Sequence, residues 1–109
     1  MQVNVYEKDI IMAESRSHKT TSNRIAQKYG VDYNNGEGVD VKSNRATVEV
    51  ETPDTVNEGL GQLQGYRGPV YIAGTNQEAV DKAIEATEGT TIGVMDNQGN
   101  IVKSSTRKK

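Results

Sequence analysis

The stretch Gly38-Val-Asp-Val-Lys-Ser-Asn-Arg-Ala-Thr-Val-Glu-Val-Glu51 alternates apolar and polar residues on either side of a Ser-Asn turn. Alternation with a period of two predicts two strands joined as a β-hairpin, because successive side chains of a strand point to opposite faces. The acidic residues Asp40, Glu49 and Glu51 all point away from the valines of their own strand. The hairpin is therefore expected to gather carboxylates on one of its faces.

Helix and strand patterns alternate outward from this hairpin. Capping boxes at Thr55/Glu58 and Thr75/Glu78 predict the starts of two helices. The order of the elements is (β)αββαβαββ, which predicts an α/β (α+β) domain with a mixed central β-sheet flanked by helices. The predicted helices span 15–29, 54–66 and the segment from Thr75 to just before Gly89, and the further strands span 2–6, 70–73, 91–95 and 100–103.

The composition limits the class of protein. A chain of 109 residues suits one core, so we expect a single domain over 1–103 and a flexible basic tail over 104–109. The absence of cysteine and the presence of only one histidine exclude disulfides, thiolate metal sites and sites that need two histidines. No apolar run approaches about 18 residues and no signal-peptide pattern is present, which predicts a cytoplasmic protein without membrane contact. The G-x-x-x-x-G-K-[ST] motif is absent, so no nucleotide cofactor is expected.

Basic residues cluster at two places although the net charge is only −2. Short Lys/Arg clusters can neutralise a nucleic-acid backbone, and a mobile or solvated basic segment is the alternative interpretation. One cluster lies on the outer face of the first predicted helix and the other in the tail. The candidate nucleic-acid-binding residues are Arg16, His18, Lys19, Arg24 and Lys28 on the helix and Arg107, Lys108 and Lys109 in the tail.

The acidic hairpin face has two interpretations. Carboxylates at i and i+2 on one strand face are about 7 Å apart and repel each other unless they are solvated or bridged by a cation. Mg²⁺ prefers carboxylate oxygens and keeps several waters, so two or three acids on one face suffice to hold it. The alternative is a solvent-facing side of an antiparallel hairpin, as in a small structural or interaction module.

The spacing of these acids resembles the metal-binding core of the PD-(D/E)XK nuclease superfamily, which includes restriction endonucleases, RecB-type nucleases and Holliday-junction resolvases. That pattern places an Asp on one strand and an acid-x-Lys on the next, followed by a helix and an apolar strand. Here the Asp is Asp40, and the second motif is the variant Glu49-x-Glu51. Gln62 and Tyr66 fit the Q-x-x-x-Y element of RecB-type members, and the likeness spans roughly residues 15–75.

The resemblance implies a restriction-endonuclease-like core and a role for each matching residue. Asp40, Glu49 and the backbone carbonyl of Val50 would hold Mg²⁺ (or Mn²⁺). Glu51 would occupy the position of the superfamily's lysine, whose role Lys42 would take over from the adjacent strand. Gln62 and Tyr66 would lie near the site and orient the metal or the substrate phosphate.

The function predicted from this resemblance is Mg²⁺-dependent hydrolysis of DNA phosphodiester bonds. Two alternatives stay open: a catalytically inactive protein of the same fold that binds nucleic acid or a protein partner, and the small interaction module with a solvated acidic face. DNA is the predicted partner. A homodimer is also predicted, because two sites would cut two strands and twofold pairs are the commonest oligomers.

Overall fold

A five-stranded mixed sheet with helices on both faces forms the described part of this α/β protein. The structure is a computed structural model, and it describes residues 16–34 and 38–108. The observed order αββαβαββ confirms the predicted order from the first helix onward, while the strand predicted at 2–6 lies outside the described residues. Within the described ranges, no helix is long and apolar enough to cross a membrane.

The elements are numbered in chain order. Three helices are seen within the described residues: α1 (16–28), α2 (Val56–Gln62) and α3 (Gln77–Ala86). The strands are β1 (Val41–Lys42), β2 (Thr47–Glu51), β3 (Val70–Gly74), β4 (Gly93–Met95) and β5 (Ile101–Lys103).

The strands lie side by side in the order in which the chain makes them. β1 and β2 form the predicted antiparallel hairpin, with Val41 opposite Val48. β2, β3 and β4 are parallel neighbours, because α2 and α3 carry the chain back across the sheet between them. β5 returns antiparallel to β4 and closes the far edge.

Each face of the sheet has its own apolar core. Val48 and Val50 of β2 pack against Ile25 and Ala26 of α1 on one face. The alternate residues of β2 belong to the other face, where Glu49 is level with Ile72 of β3. That second face is covered by α2 and α3 through apolar residues that include Val56, Leu63, Val80 and Ala83. Every residue of β2 is therefore buried, the two glutamates included.

Two predicted helix starts are wrong in detail. Thr55 precedes α2 without capping it through its side chain; its hydroxyl accepts a hydrogen bond from the Thr52 amide at 3.0 Å instead. The cap of α3 is Asn76, whose side chain accepts from the Ala79 amide at 2.9 Å. Thr75 does not provide this cap, because its amide donates to the Glu51 carbonyl and continues the pairing of β3 with β2.

The C-terminal segment 104–108 lies against the domain. The Ser105 hydroxyl donates to the Thr91 carbonyl at 2.8 Å and accepts from the Val70 amide at 3.1 Å. The Arg107 guanidinium donates to the carbonyls of Leu63 and Tyr66 at 2.7 and 2.9 Å, beyond the end of α2. The stretch predicted as a basic tail is thus bonded to the domain, and its Arg107 fastens the chain at the end of α2. Lys109 lies outside the described residues.

Truncation of the central strand should destabilise the domain strongly. Ile72 of β3 is fully buried on the face of the sheet that α2 and α3 cover. Ile72→Ala leaves a cavity there and should lower the free energy of unfolding by about 2–5 kcal/mol. Ile101 on β5 is 50% exposed, so Ile101→Ala should change it by less than about 1 kcal/mol. Urea unfolding measures both, and equal losses would contradict the assignment of the core.

Candidate functional site

The three carboxylates of the hairpin are buried, which contradicts the alternative interpretation of this face as a solvent-facing side of the hairpin. Asp40 is 7% exposed, Glu49 4% and Glu51 6%. The glutamates lie on the face of β2 that α2 covers. Asp40 immediately precedes β1 and so reaches β2 beside Glu49. A polar side of a hairpin is usually left in water; here a helix closes over it, which makes the acids part of an interior site.

Asp40 is fixed by two hydrogen bonds from different elements. Its Oδ2 accepts the backbone amide of Val50 at 2.8 Å and Nε2 of His18 at 3.0 Å. The side chain thus takes the place of the Val39 carbonyl, which the register would set opposite Val50, and that carbonyl accepts from the Asn34 side chain at 3.2 Å instead. For this reason β1 is shorter than the four-residue strand that the alternation predicts.

Glu49 carries an oxygen without a partner. Its Oε2 is buried and accepts no hydrogen bond from a nitrogen or hydroxyl donor in residues 16–34 and 38–108; the groups within hydrogen-bonding reach of the Glu49 carboxyl are the carboxyls of Asp40 and Glu51, which can bond to it only by sharing a proton. Burial, together with the neighbouring carboxyl groups of Asp40 and Glu51, raises the pKa of Glu49 to about 10. A buried carboxylate oxygen of this kind is expensive unless a proton or a cation satisfies it.

Glu51 occupies the end of β2, against α2. The space beside it exists because residue 59 is glycine: a Cβ there would lie 2.8 Å from Cγ and Oε2 of Glu51. Burial is the largest influence on this carboxyl and raises its pKa to about 7, assisted by Asp40 and opposed by a hydrogen bond to Thr55 and by His18. Both glutamates therefore lie beside Asp40, but Glu51 also has the Thr55 hydroxyl and His18 as neighbours that favour its ionised form.

His18 is the site residue that the sequence analysis placed wrongly, on the outer face of the first helix. In α1 it lies on the buried face, four residues before Ser22 and seven before Ile25, both fully buried. The hydrogen bond to Asp40 raises the pKa of His18 above its ordinary value despite partial burial. Its ring also meets Tyr33 edge to face, with 6.1 Å between centroids.

A cavity of about 360 Å³, here called the acidic cavity, opens over His18, Glu49 and Glu51, whereas Asp40 does not line it. Gln62 of α2 lines it, as the Q-x-x-x-Y element implies. Lys19 also lines it and is the only Lys or Arg among the described residues that does so. The other lining residues are His18, Tyr33, Glu49, Val50, Glu51, Thr52 and Thr55.

Lys42 and Tyr66 are not brought to the acidic cavity. The Lys42 ammonium lies 5.4 Å from the centre of the Tyr66 ring, and both residues line a second cavity beside the hairpin turn. The position expected for Lys42, in place of the missing lysine, is thus not the one it takes in this structure. Lys19 of α1 lines the acidic cavity instead.

Several of the predicted nucleic-acid-binding cations hold the fold together. Arg24 donates to the Asn97 carbonyl at 2.9 Å and Lys28 to the Gly99 carbonyl at 3.0 Å, which ties α1 to the turn before β5. Arg107 holds the end of α2, as described above. Arg16 and Lys19 are exposed on α1, and so is much of Lys108 at the end of the described chain.

The side chains of the site can be compared with the ligands that Mg²⁺ requires. Within the described ranges, no three or more His, Asp or Glu side chains form a group arranged to hold a metal ion, which excludes an all-protein cage there. Mg²⁺ does not require one, because it is bound through one or two carboxylates and keeps several waters. Asp40 and Glu49 supply two carboxyl groups, and the unpartnered Glu49 oxygen is the kind of donor that such a cation would satisfy.

Stability should fall as the pH rises from about 5 to 9 in metal-free buffer. Glu49, Glu51 and His18 all have raised pKa values in the fold, so the folded state binds protons that the unfolded state has released. Their contribution is complete below the ordinary pKa of each group and is lost as the pH rises through the folded pKa. The groups that face them are Asp40, Lys19 and the neutral side chains of α2.

Glu49→Gln tests this pH dependence, because glutamine mimics the neutral carboxyl. The variant should be more stable than the wild type at pH 8, on the order of 1–3 kcal/mol, since one pKa unit corresponds to about 1.4 kcal/mol. At pH 5 the two should differ little. Chemical unfolding at both pH values gives the answer, and a wild-type stability that increases with pH would contradict it.

A pair of glycines in α2 tests the close approach of Glu51. Gly61 has no atom within 4 Å of an added Cβ, so Gly61→Ala should stabilise the helix by about 0.5–1 kcal/mol. Gly59→Ala receives the same gain in propensity but must displace the Glu51 carboxyl, and we expect a net loss of stability. Equal gains from both variants would show that Glu51 moves freely.

Comparison with known proteins assigns no family to this chain. No family model, no curated protein and no solved structure matches it. The resemblance to the nuclease superfamily therefore depends on the order and spacing of its motifs, and the case for a function depends on the geometry of the acidic cavity.

Proposed function

We propose that this protein is a Mg²⁺-dependent nuclease that hydrolyses DNA phosphodiester bonds in the acidic cavity. The observation that carries the proposal is the buried, unpartnered Oε2 of Glu49 beside the carboxyl group of Asp40. Burying such an atom lowers the stability of the fold, and unsatisfied buried polar groups are found preferentially at functional sites. The helix–hairpin–helix–strand order around the acids is the further support.

Asp40, Glu49 and the Val50 carbonyl would hold the metal. When bound, Mg²⁺ (or Mn²⁺) would polarise a phosphoryl oxygen and lower the pKa of a coordinated water. His18 keeps the Asp40 carboxylate oriented through its 3.0 Å hydrogen bond, and the Val50 amide holds the same oxygen from the strand. The ligand is thus positioned by both α1 and β2.

Other residues of the acidic cavity would take part in proton transfer and in binding the substrate phosphate. Glu51 faces the cavity, and its carboxylate would accept the proton of the attacking water. Lys19 would offset the charge of the substrate phosphate, because it is the cation that lines the cavity where the superfamily's lysine is replaced by Glu51. Gln62 would orient the phosphate through its amide.

Paramagnetic broadening with trace Mn²⁺ tests the metal site without any assumption about the substrate. We expect selective broadening of the amides of residues 40, 49–51 and 62, reversed by an excess of Mg²⁺. Glu49→Gln should abolish it, whereas the matched variant Glu58→Gln on the exposed side of α2 should leave it unchanged. Broadening spread evenly over all surface acids, or equal in both variants, would contradict the proposal.

Cleavage of end-labelled DNA with Mg²⁺ or Mn²⁺ then separates the active from the inactive protein. Glu49→Gln should lower the rate at least about 100-fold, and Lys19→Ala about 10-fold or more through loss of a phosphate contact. Selective metal binding with no cleavage of any DNA would favour the catalytically inactive alternative. Sedimentation equilibrium tests the predicted homodimer; a single species of about 11.9 kDa at high concentration would exclude it.

A further inference from the structure

A second cavity of about 600 Å³, here called the cationic cavity, lies between the hairpin turn and the chain that follows α2. Lys42 and Arg67 line it together with Asn44 and Tyr66. No Asp or Glu of residues 16–34 and 38–108 lines it, whereas Glu49 and Glu51 line the acidic cavity and another opening near the start of α2 is lined by Asp54 and Glu85. The cationic cavity therefore has the electrostatic character of an anion site.

Its cations have no anionic partner in the described parts of the chain. The two ion pairs found there join His18 to Asp40 and Lys82 to Glu78, so neither Lys42 nor Arg67 is neutralised by a carboxylate. Lys42 instead lies over the face of the Tyr66 ring, at 5.4 Å from its centre. A cation on an aromatic face is held weakly at an exposed site and can turn to a stronger anionic ligand.

The cationic cavity and the acidic cavity have no lining residue in common, but their lining residues are near neighbours in two segments. Thr47 lines the first and Glu49 the second, and these residues are two apart on one face of β2, about 7 Å along the strand. On the helix side, Gln62 lines the acidic cavity, and Tyr66, four residues later, lines the cationic one. A polymer with regularly spaced anionic groups can occupy both at once.

We propose that the cationic cavity binds a neighbouring nucleotide of the same single nucleic-acid strand whose scissile phosphate enters the acidic cavity. Lys42 and Arg67 contact its phosphodiester group, and its base stacks on the Tyr66 ring that Lys42 vacates. Stacking on an aromatic side chain beside cations is how proteins hold single strands with little sequence preference. This assignment rests on the proposed function and adds to it the strandedness of the substrate and the path of the strand.

Binding without cleavage tests the assignment. The protein is the full chain carrying Glu49→Gln, in EDTA, and the probe is a fluorescent single-stranded DNA oligonucleotide followed by anisotropy. Lys42→Ala and Arg67→Ala should each weaken binding about 5- to 20-fold and flatten its salt dependence. Tyr66→Leu should weaken binding too, while Tyr66→Phe should retain it.

Lys82→Ala is the matched control, because Lys82 is an exposed lysine of α3 that pairs with Glu78. It should bind as the parent does. Urea unfolding of each variant separates a lost contact from a lost fold, and NMR shifts of residues 42, 66 and 67 on addition of the oligonucleotide locate the contact in a folded protein.

The assignment would be overturned by no binding of single-stranded DNA by the parent, by equal affinities of the Lys42, Arg67 and Lys82 variants, or by NMR shifts confined to other surfaces. A preference for duplex over single strand would overturn it as well. Because the assay contains no metal and no intact Glu49, the outcome is independent of cleavage. Binding through Lys42 and Arg67 by a wild-type protein that cuts nothing would count only against the proposed nuclease activity.

Discussion

The Asp40 carboxylate accepts hydrogen bonds from the Val50 amide of β2 and from His18 of α1. A backbone carbonyl would normally occupy this position in an antiparallel ladder, and its replacement by a side chain ends the regular pairing of β1 after two residues. The same oxygen fixes the helix on one face of the sheet relative to the hairpin. It also sets a negative charge beside Glu49. The length of β1 and the charge beside Glu49 thus depend on this one side chain, which also adds a polar link to the apolar packing of α1 on the sheet.

Burying carboxylates opposes the forces that stabilise the rest of the domain. Val48 and Val50 contribute apolar burial on one face of β2, while Glu49 and Glu51 on the other face take up space that apolar side chains fill elsewhere in the sheet. Glu49 and Glu51 are the places in β2 where charged residues occupy core positions. Sites at which a protein departs from its own pattern are where function is expected.

Much of the fold follows from periodicity. The hairpin, the central apolar strand and the helices were predictable because the alternation and the helical spacing are local properties of the chain. Burial of the acids was not predictable, because alternation defines two faces and does not say which of them a later helix covers. The position of His18 was predicted wrongly for a related reason. Its polar character suggested the outer face of α1, although its spacing of seven residues from Ile25 places it on the inner face. The need for glycine at position 59 was not predictable for the same reason, because the close approach of Glu51 brings together a strand and a helix that pack only in the folded chain.

The contacts of Arg107 have a consequence for the local opening of the domain. α2 is seven residues long and has no side-chain cap at its start, so its own hydrogen bonds hold it weakly. Two hydrogen bonds from the Arg107 guanidinium, to the carbonyls of Leu63 and Tyr66, fasten the chain at its end to a segment about forty residues later. Release of residues 104–108 would free the end of α2 and, with it, Gln62 and Tyr66, which line the acidic and the cationic cavity. In terms of cooperative units, the amides of α2 and those of the C-terminal segment should exchange with solvent together, apart from the slower amides of β3.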